Sequence, residues 1–208
     1  MTMGAPKASS KLRRGSGRRA GFTLIETMIV IALLGILLAL AAPSMREMIE
    51  VRRLRAINSQ LVTDLQYARG EAISRRALAR LDFKNTASQS CYTIYTSPGR
   101  AIRCDCTLGA GMACAPGSGA IEIRSVVIPK SLGSEVVIPL PQRRSVGFEP
   151  AMGSLVAIPI DFDPLPIPQY QIETQIDAAR KFRIVLNQSG RPAVCAPAGS
   201  RMDAEACP

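Results

Sequence analysis

Seven residues of this 208-residue chain have the type and spacing to do chemistry. Six are cysteines, Cys91, Cys104, Cys106, Cys114, Cys195 and Cys207, and the seventh is Glu26, a carboxylate at the head of a charge-free run. An even set of cysteines placed so late in the chain reads as a disulfide framework in an oxidising compartment. We pair Cys195 with Cys207, which closes the C-terminal tail, and the other four among themselves. Cys104 and Cys106 stand too close to bridge one another comfortably, so each is expected to find Cys91 or Cys114. The sharper alternative is a zinc site made from those four, but their spacing lacks the CxxC knuckles that hold a tetrahedral ion. Asp161 and Asp163 have neither the Gly turn nor the distal Glu of a calcium loop. Gly109–Cys114 lacks the third Gly and the Lys-Ser/Thr of a phosphate cradle. With no His anywhere, Ser-His-Asp hydrolysis, Cys-His proteolysis and His-ligated zinc are excluded. No catalytic constellation is left, so the chain is not expected to be an enzyme, nor to carry a cofactor or metal.

Glu26 needs a different account, and it comes from the element that carries it. From Thr27 to Met45 there is no charged residue, and Phe22 to Pro43 makes 22 residues. That length is roughly 33 Å of helix, enough to cross a bilayer. Residues 1–21 hold six bases and no acid. By the positive-inside rule this flank keeps the N-terminal end in the cytoplasm and sends the rest outward. A secretory signal peptide is the rival reading, with a weak cleavage site at Ala39–Leu40–Ala41. A carboxylate at membrane depth costs a few kcal/mol and calls for a cationic partner. The following turns of its own helix offer Glu26 none. Arg18, Arg19 or a cation from another molecule must supply it.

At this point the sequence resembles a known class. Arg19-Ala20-Gly21-Phe22-Thr23-Leu24-Ile25-Glu26 and its apolar run are similar to the class III signal of type IV pilins and pseudopilins. The resemblance implies that a prepilin peptidase cuts between Gly21 and Phe22, and that the new amino group of Phe22 is N-methylated. Glu26 would then pair with the terminal amine of a neighbouring subunit, the buried cation that it lacks. The run from 22 to 43 would serve as membrane anchor first and filament-packing surface afterwards.

Ser44 to about Arg80 continues as helix. Leu54, Ile57, Leu61, Leu65, Ala68 and Ala72 recur at spacings of 3, 4, 4, 3 and 4, which is one helix face. Val62 and Ile73 are expected to widen it. The opposite face is assigned Arg52, Arg53, Arg55, Asp64, Arg69, Glu71, Arg75 and Arg76. Gln60 to Arg76 resembles the helix segment of the GspH/FimT family, which holds the minor pseudopilin H of type II secretion and the FimT/FimU minor pilins. Gly70 departs from the Ser more usual there, at roughly 1 kcal/mol of helix propensity.

Beyond Arg80 the pattern changes to short alternating runs cut by Pro and Gly. Strands are expected at Ala79–Phe83, Cys91–Thr96, Ile121–Ile128, Glu135–Leu140, Ser145–Phe148, Leu155–Ile158 and Phe182–Asn187. Pro159–Pro168 is expected to be a surface loop. The fold class is therefore α+β and type IV pilin-like, a long N-terminal helix packed on an antiparallel sheet. The expected division is a cleaved leader 1–21, an anchor 22–43, a stem 44–84 and a periplasmic head 85–208.

Net charge is +10, from 26 bases and 16 acids, which by itself suggests nucleic acid or an anionic membrane as partner. Six of those bases leave with residues 1–21, so 20 against 16 remain. Lys181 to Cys195 resembles the last hairpin of the same family, whose DNA-binding members carry Gly-Arg-x-Arg. Gly190 and Arg191 match, but the fourth position is Ala193, which removes one of two phosphate contacts. Arg180, Lys181, Arg183 and Arg201 stand near enough in sequence to substitute. The reading is thus a minor pilin or pseudopilin that joins the tip of a periplasmic filament. Its expected partners are other pilin subunits, the prepilin peptidase and the inner membrane. A DNA receptor for natural transformation, with Arg191 as contact, is the alternative. Type II secretion and a type IV pilus both stay open, the Cys-rich and Pro-rich head leaning towards the pilus.

Overall fold

The structure, a computed structural model, describes residues 21–98, 102–130, 137–139, 145–158 and 165–207, with side chains 41–44 and 165 set aside. It divides into two compact units, Met1–Ser44 and Met45–Pro208. One helix, α1 (Leu24–Arg75), supplies the described regular structure of the first unit and the stem of the second.

In the first unit the side chains of residues 21–40 are exposed, Phe22 to 79 % and Leu40 to 73 %. No single helix among the described residues is long and apolar enough to cross a membrane. Leu24–Leu40 taken together with Met45–Arg75 is, by length and composition.

In the second unit the stem ends at a left-handed residue. Arg76 sits at φ 50°, its amide bonds Ile73 O at 3.3 Å, and the Ala77 amide bonds Ala72 O at 3.2 Å. Those two bonds make a Schellman cap, with Arg where Gly is the usual occupant. The chain then enters a six-stranded antiparallel sheet in the order β3-β2-β1-β4-β5-β6. Its strands are β1 (Ala79–Asn85), β2 (Gln89–Thr96), β3 (Ile121–Pro129), β4 (Ser145–Phe148), β5 (Leu155–Ala157) and β6 (Leu165–Pro166). A second antiparallel sheet follows, β7 (Gln169–Gln175), β8 (Lys181–Asn187) and β9 (Pro192–Cys195). One core joins stem and both sheets. Leu54, Leu61, Leu65, Ala68 and Ala72 meet Leu81, Ile94, Phe148 and Leu155 of the first sheet and Ile172, Ile184 and Leu186 of the second, all buried. The fold class is the α+β, helix-on-antiparallel-sheet arrangement that the sequence indicates. Gly147 belongs to its close packing, because a Cβ there would lie 2.7 Å from Ala79 O and 2.6 Å from Ile158 Cδ1.

The structure departs from the sequence reading at identifiable places. Asp64 does not lie on the charged face; it is 2 % exposed and faces the first sheet. Asn58 is also buried, in the slot between Leu54 and Leu61. Ile73 is exposed and does not widen the core stripe. Part of the expected loop at Pro159–Pro168 is strand β6, and residues 159–164 lie outside the described ones. Pro166 is tolerated there because β6 is the sheet edge, where a missing N–H leaves no ladder bond unmade. Of the strand expected at Glu135–Leu140 only 137–139 is described, and it offers one isolated bridge, Val137 to Gln175. Strands β7 and β9 are additions.

Candidate functional site

The N-terminal end is built by the first turn of α1. Thr23 precedes the helix, and its Oγ1 accepts the Glu26 amide at 3.3 Å. Thr-x-x-Glu is the spacing of a capping box, and a carboxylate in the first turn complements the helix dipole. The Glu26 backbone is therefore held locally by Thr23, three residues upstream. Arg18 and Arg19 lie outside the described residues. Gly21 and Phe22 stand in irregular chain ahead of the cap, and both are exposed.

The six cysteines form three pairs: Cys91–Cys106, Cys104–Cys114 and Cys195–Cys207. The first two interlace around the short 3-10 turn Cys106–Leu108. That turn is capped by Asp105, whose Oδ1 accepts the Thr107 amide at 3.0 Å and the Thr107 hydroxyl at 2.6 Å. Lys84 binds the other oxygen of Asp105. Lys84 is also the cross-strand neighbour of Cys91, so ion pair and disulfide run side by side from β1 and β2 to the same turn. Burial pushes the Asp105 carboxyl up, but the bonds from Lys84 and Thr107 outweigh it and hold the group below the usual carboxylate range. Glu122 of β3 closes the loop by accepting the amides of Gly111 (2.8 Å) and Ala113 (3.0 Å). The sulfurs of Cys91, Cys104, Cys106 and Cys114 are thus spent on each other.

Two buried tyrosines carry the polar contacts of the first sheet. Tyr92 donates to Asp64 at 2.6 Å, and Arg124 meets the same carboxylate at 3.2 Å. Tyr95 donates to Asp82 at 2.7 Å, with Arg103 on the other oxygen at 3.2 Å and the Arg80 guanidinium over the ring at 5.5 Å. Burial first, and then the neighbouring carboxylate, raises both phenols well above the ordinary value. These groups bind one another across the first sheet and, through Asp64, bind the stem.

Arg69 and Gly190, from the two segments that carry the family resemblance, meet at one hairpin turn. Arg69 donates to Gly153 O (3.2 Å) and Met152 O (3.1 Å) in the β4–β5 turn. A Cβ on Gly190, which sits at φ 74°, would lie 2.6 Å from Gly153 O and 3.0 Å from the Phe148 ring. The glycine of the Gly-Arg pair is therefore dictated by packing. Arg191 itself is exposed, with its amide bound to Asn187 Oδ1 at 2.9 Å. Two of the neighbouring bases are paired with acids of their own. Arg180 is held by Glu50 (2.7 Å) and Asp177 (2.7 Å), and Arg183 by Glu173 (2.6 Å).

The comparisons with known proteins follow this geometry. A family model described as the prokaryotic N-terminal methylation motif matches residues 16–42. A second, described as type II transport protein GspH, matches residues 58–190. No curated protein matches the chain. Among solved structures it is similar to two crystal forms of the Pseudomonas aeruginosa type IV minor pilin FimU. Both are 17 % identical; one covers 70 % of this chain and 90 % of that one at a TM-score of 0.45. The other covers 68 % and 92 % at 0.42.

Proposed function

The chain belongs to the family of the type II transport protein GspH, and from that premise we propose how it is processed and used. It is a minor pilin or pseudopilin, a structural subunit whose N-terminal methylation motif suits it to membrane anchoring and to assembly with other pilin subunits. A prepilin peptidase removes the basic leader 1–21 on the cytoplasmic side by cutting between Gly21 and Phe22, and Phe22 is then N-methylated. Residues 22–43 hold the subunit in the inner membrane in a single pass, with the head in the periplasm. On assembly near the filament tip the same residues pack against neighbouring subunits. The observation that carries this reading is the first unit. An apolar helix whose described side chains are all exposed is stable only where lipid or other subunits surround it.

Cleavage would leave the new ammonium of Phe22 directly ahead of the Thr23 cap. Glu26 would then meet two positive neighbours, the helix N-terminus of its own chain and the terminal amine of the next subunit. The cap keeps the carboxylate stabilised before assembly, and the second cation makes its burial tolerable afterwards. The DNA-receptor alternative would rest on the exposed Arg191, since Arg180 and Arg183 are already paired with acids.

The test is the mass of the mature protein. We expect a chain that starts at methylated Phe22, and no processing when Gly21 is replaced by a bulky residue. A start near Ala42, or an intact Met1, would overturn the reading.

A further inference from the structure

We propose that the stem face carrying Met45, Met48, Ile49, Arg52 and Arg55 lies in the headgroup layer of an anionic phospholipid membrane. The proposal rests on the reading of residues 22–43 as a membrane anchor, and adds to it a charged boundary of defined lipid preference. The five residues follow one another at spacings of 3, 1, 3 and 3, which places them on a single face of α1. Met45, Met48 and Ile49 are 55 %, 50 % and 60 % exposed, unusual for three large apolar residues on one face of a soluble unit. Arg52 and Arg55 are exposed and, among the described residues, form no ion pair. The acids nearby do not neutralise them. Glu50 turns to Arg180 at 2.7 Å, and Glu47 falls outside the face at about 100° per residue.

The order along the axis decides what covers this face. Apolar side chains come first, next to the charge-free run, and the two guanidinium groups follow roughly 5–10 Å further on. The headgroup layer of a bilayer is roughly 5–8 Å deep on each side. A helix leaving the hydrocarbon would thus put Met and Ile at its border and Arg among the phosphates, with the Arg stems lying along apolar surface and the planar heads binding phosphate oxygens. A second copy of the chain fits less well. Residues 46–76 of a second copy carry seven bases against four acids and residues 77–208 thirteen against eleven, so neither part is net acidic. Anionic lipid supplies that charge.

The full chain, reconstituted in vesicles, tests this. The six native cysteines are paired, so Met48→Cys introduces a single free thiol for an environment-sensitive fluorophore. With a headgroup-borne quencher, the label at 48 should be strongly quenched in phosphatidylcholine–phosphatidylglycerol vesicles and much less in phosphatidylcholine alone. Each Arg near an anionic surface shifts occupancy by about fivefold, so R52Q/R55Q together should lower it by roughly twentyfold to thirtyfold. A label placed by Tyr67→Cys, about 28 Å further along the stem than residue 48, should stay bright throughout. Quenching at 48 that ignores both lipid charge and the two substitutions, or a bright label in every vesicle, overturns the proposal while the anchor reading stands. Failure of the chain to float with vesicles of either composition overturns both.

Discussion

Asp64 is charged by type and buried by position. From its chemistry it belongs with the arginines on the wet face of the stem, yet it occupies a place beside Leu61 and Leu65 where a carboxylate is tolerable only with partners. Tyr92 and Arg124 are those partners, and both come from strands that the stem packs against. Replacing Tyr92 by Phe keeps the shape and removes the donor. We expect a loss of about 1.5–3 kcal/mol, because the hydrogen bond is to a charged group, read as a lower denaturant midpoint at unchanged slope. The burial of Asp64 was not legible in the sequence, since nothing local distinguishes a carboxylate with a distant tyrosine from a solvated one. Asn58 was more accessible to reason. The buried positions 54, 58, 61, 65, 68 and 72 advance by 4, 3, 4, 3 and 4, and Asn58 fills the vacant step of that run. Its partner, Thr174, which donates to Asn58 Oδ1 at 3.1 Å, lies in a strand that propensity passes over.

At the scale of elements, the parts with dense apolar alternation were readable and the polar ones were not. Strands β1, β2, β3, β4 and β8 fall close to their expected spans because β-branched and aromatic residues recur at every second position. Strand β7 reads Gln-Tyr-Gln-Ile-Glu-Thr-Gln. Its inward residues, Tyr170, Ile172 and Thr174, do alternate, but its polar composition hides the period. Strand β9 opens on Pro192, a residue that argues against a strand until it is seen at a sheet edge. The two ends of α1 repeat the lesson. Thr23 and Glu26 form a capping pair that the sequence displays openly. The far cap is hidden, because Arg76 holds a left-handed conformation that suits Gly. Arg76→Gly should therefore raise stability by about 1 kcal/mol, measured by chemical denaturation of the full chain in detergent. A loss of stability there would show that the arginine side chain contributes more than its backbone strain removes.

For the molecule as a whole, the charge that first suggests nucleic acid is divided among its parts. The leader carries the largest excess, the stem a smaller one, and the head is close to balance. The three disulfides are equally regional, with sequence separations of 15, 10 and 12. Closing loops of that length contributes up to about 3 kcal/mol each, so full reduction should lower the denaturant midpoint of the chain markedly. An unchanged midpoint in reductant would show that the head holds its loops by hydrogen bonds and ion pairs alone.

Every cysteine lies in strand or loop beyond residue 90, and α1 has none. No crosslink therefore ties the stem to the sheets that cover it. In the filament proposed above, subunits would be gripped by their N-terminal helices while load arrives at the heads. Tension must then pass from sheet to helix as shear across a noncovalent seam, through the apolar stripe from Leu54 to Ala72 and polar fastenings that include Glu50–Arg180, Arg53–Pro129, Asn58–Thr174, Asp64–Tyr92 and Arg69–Met152. These fastenings are spread over about five turns of α1, from Glu50 to Arg69, each bound to a different strand or turn. A pull on the head along the helix axis would load these contacts in parallel, since all of them start from one helix and end on different elements of the head.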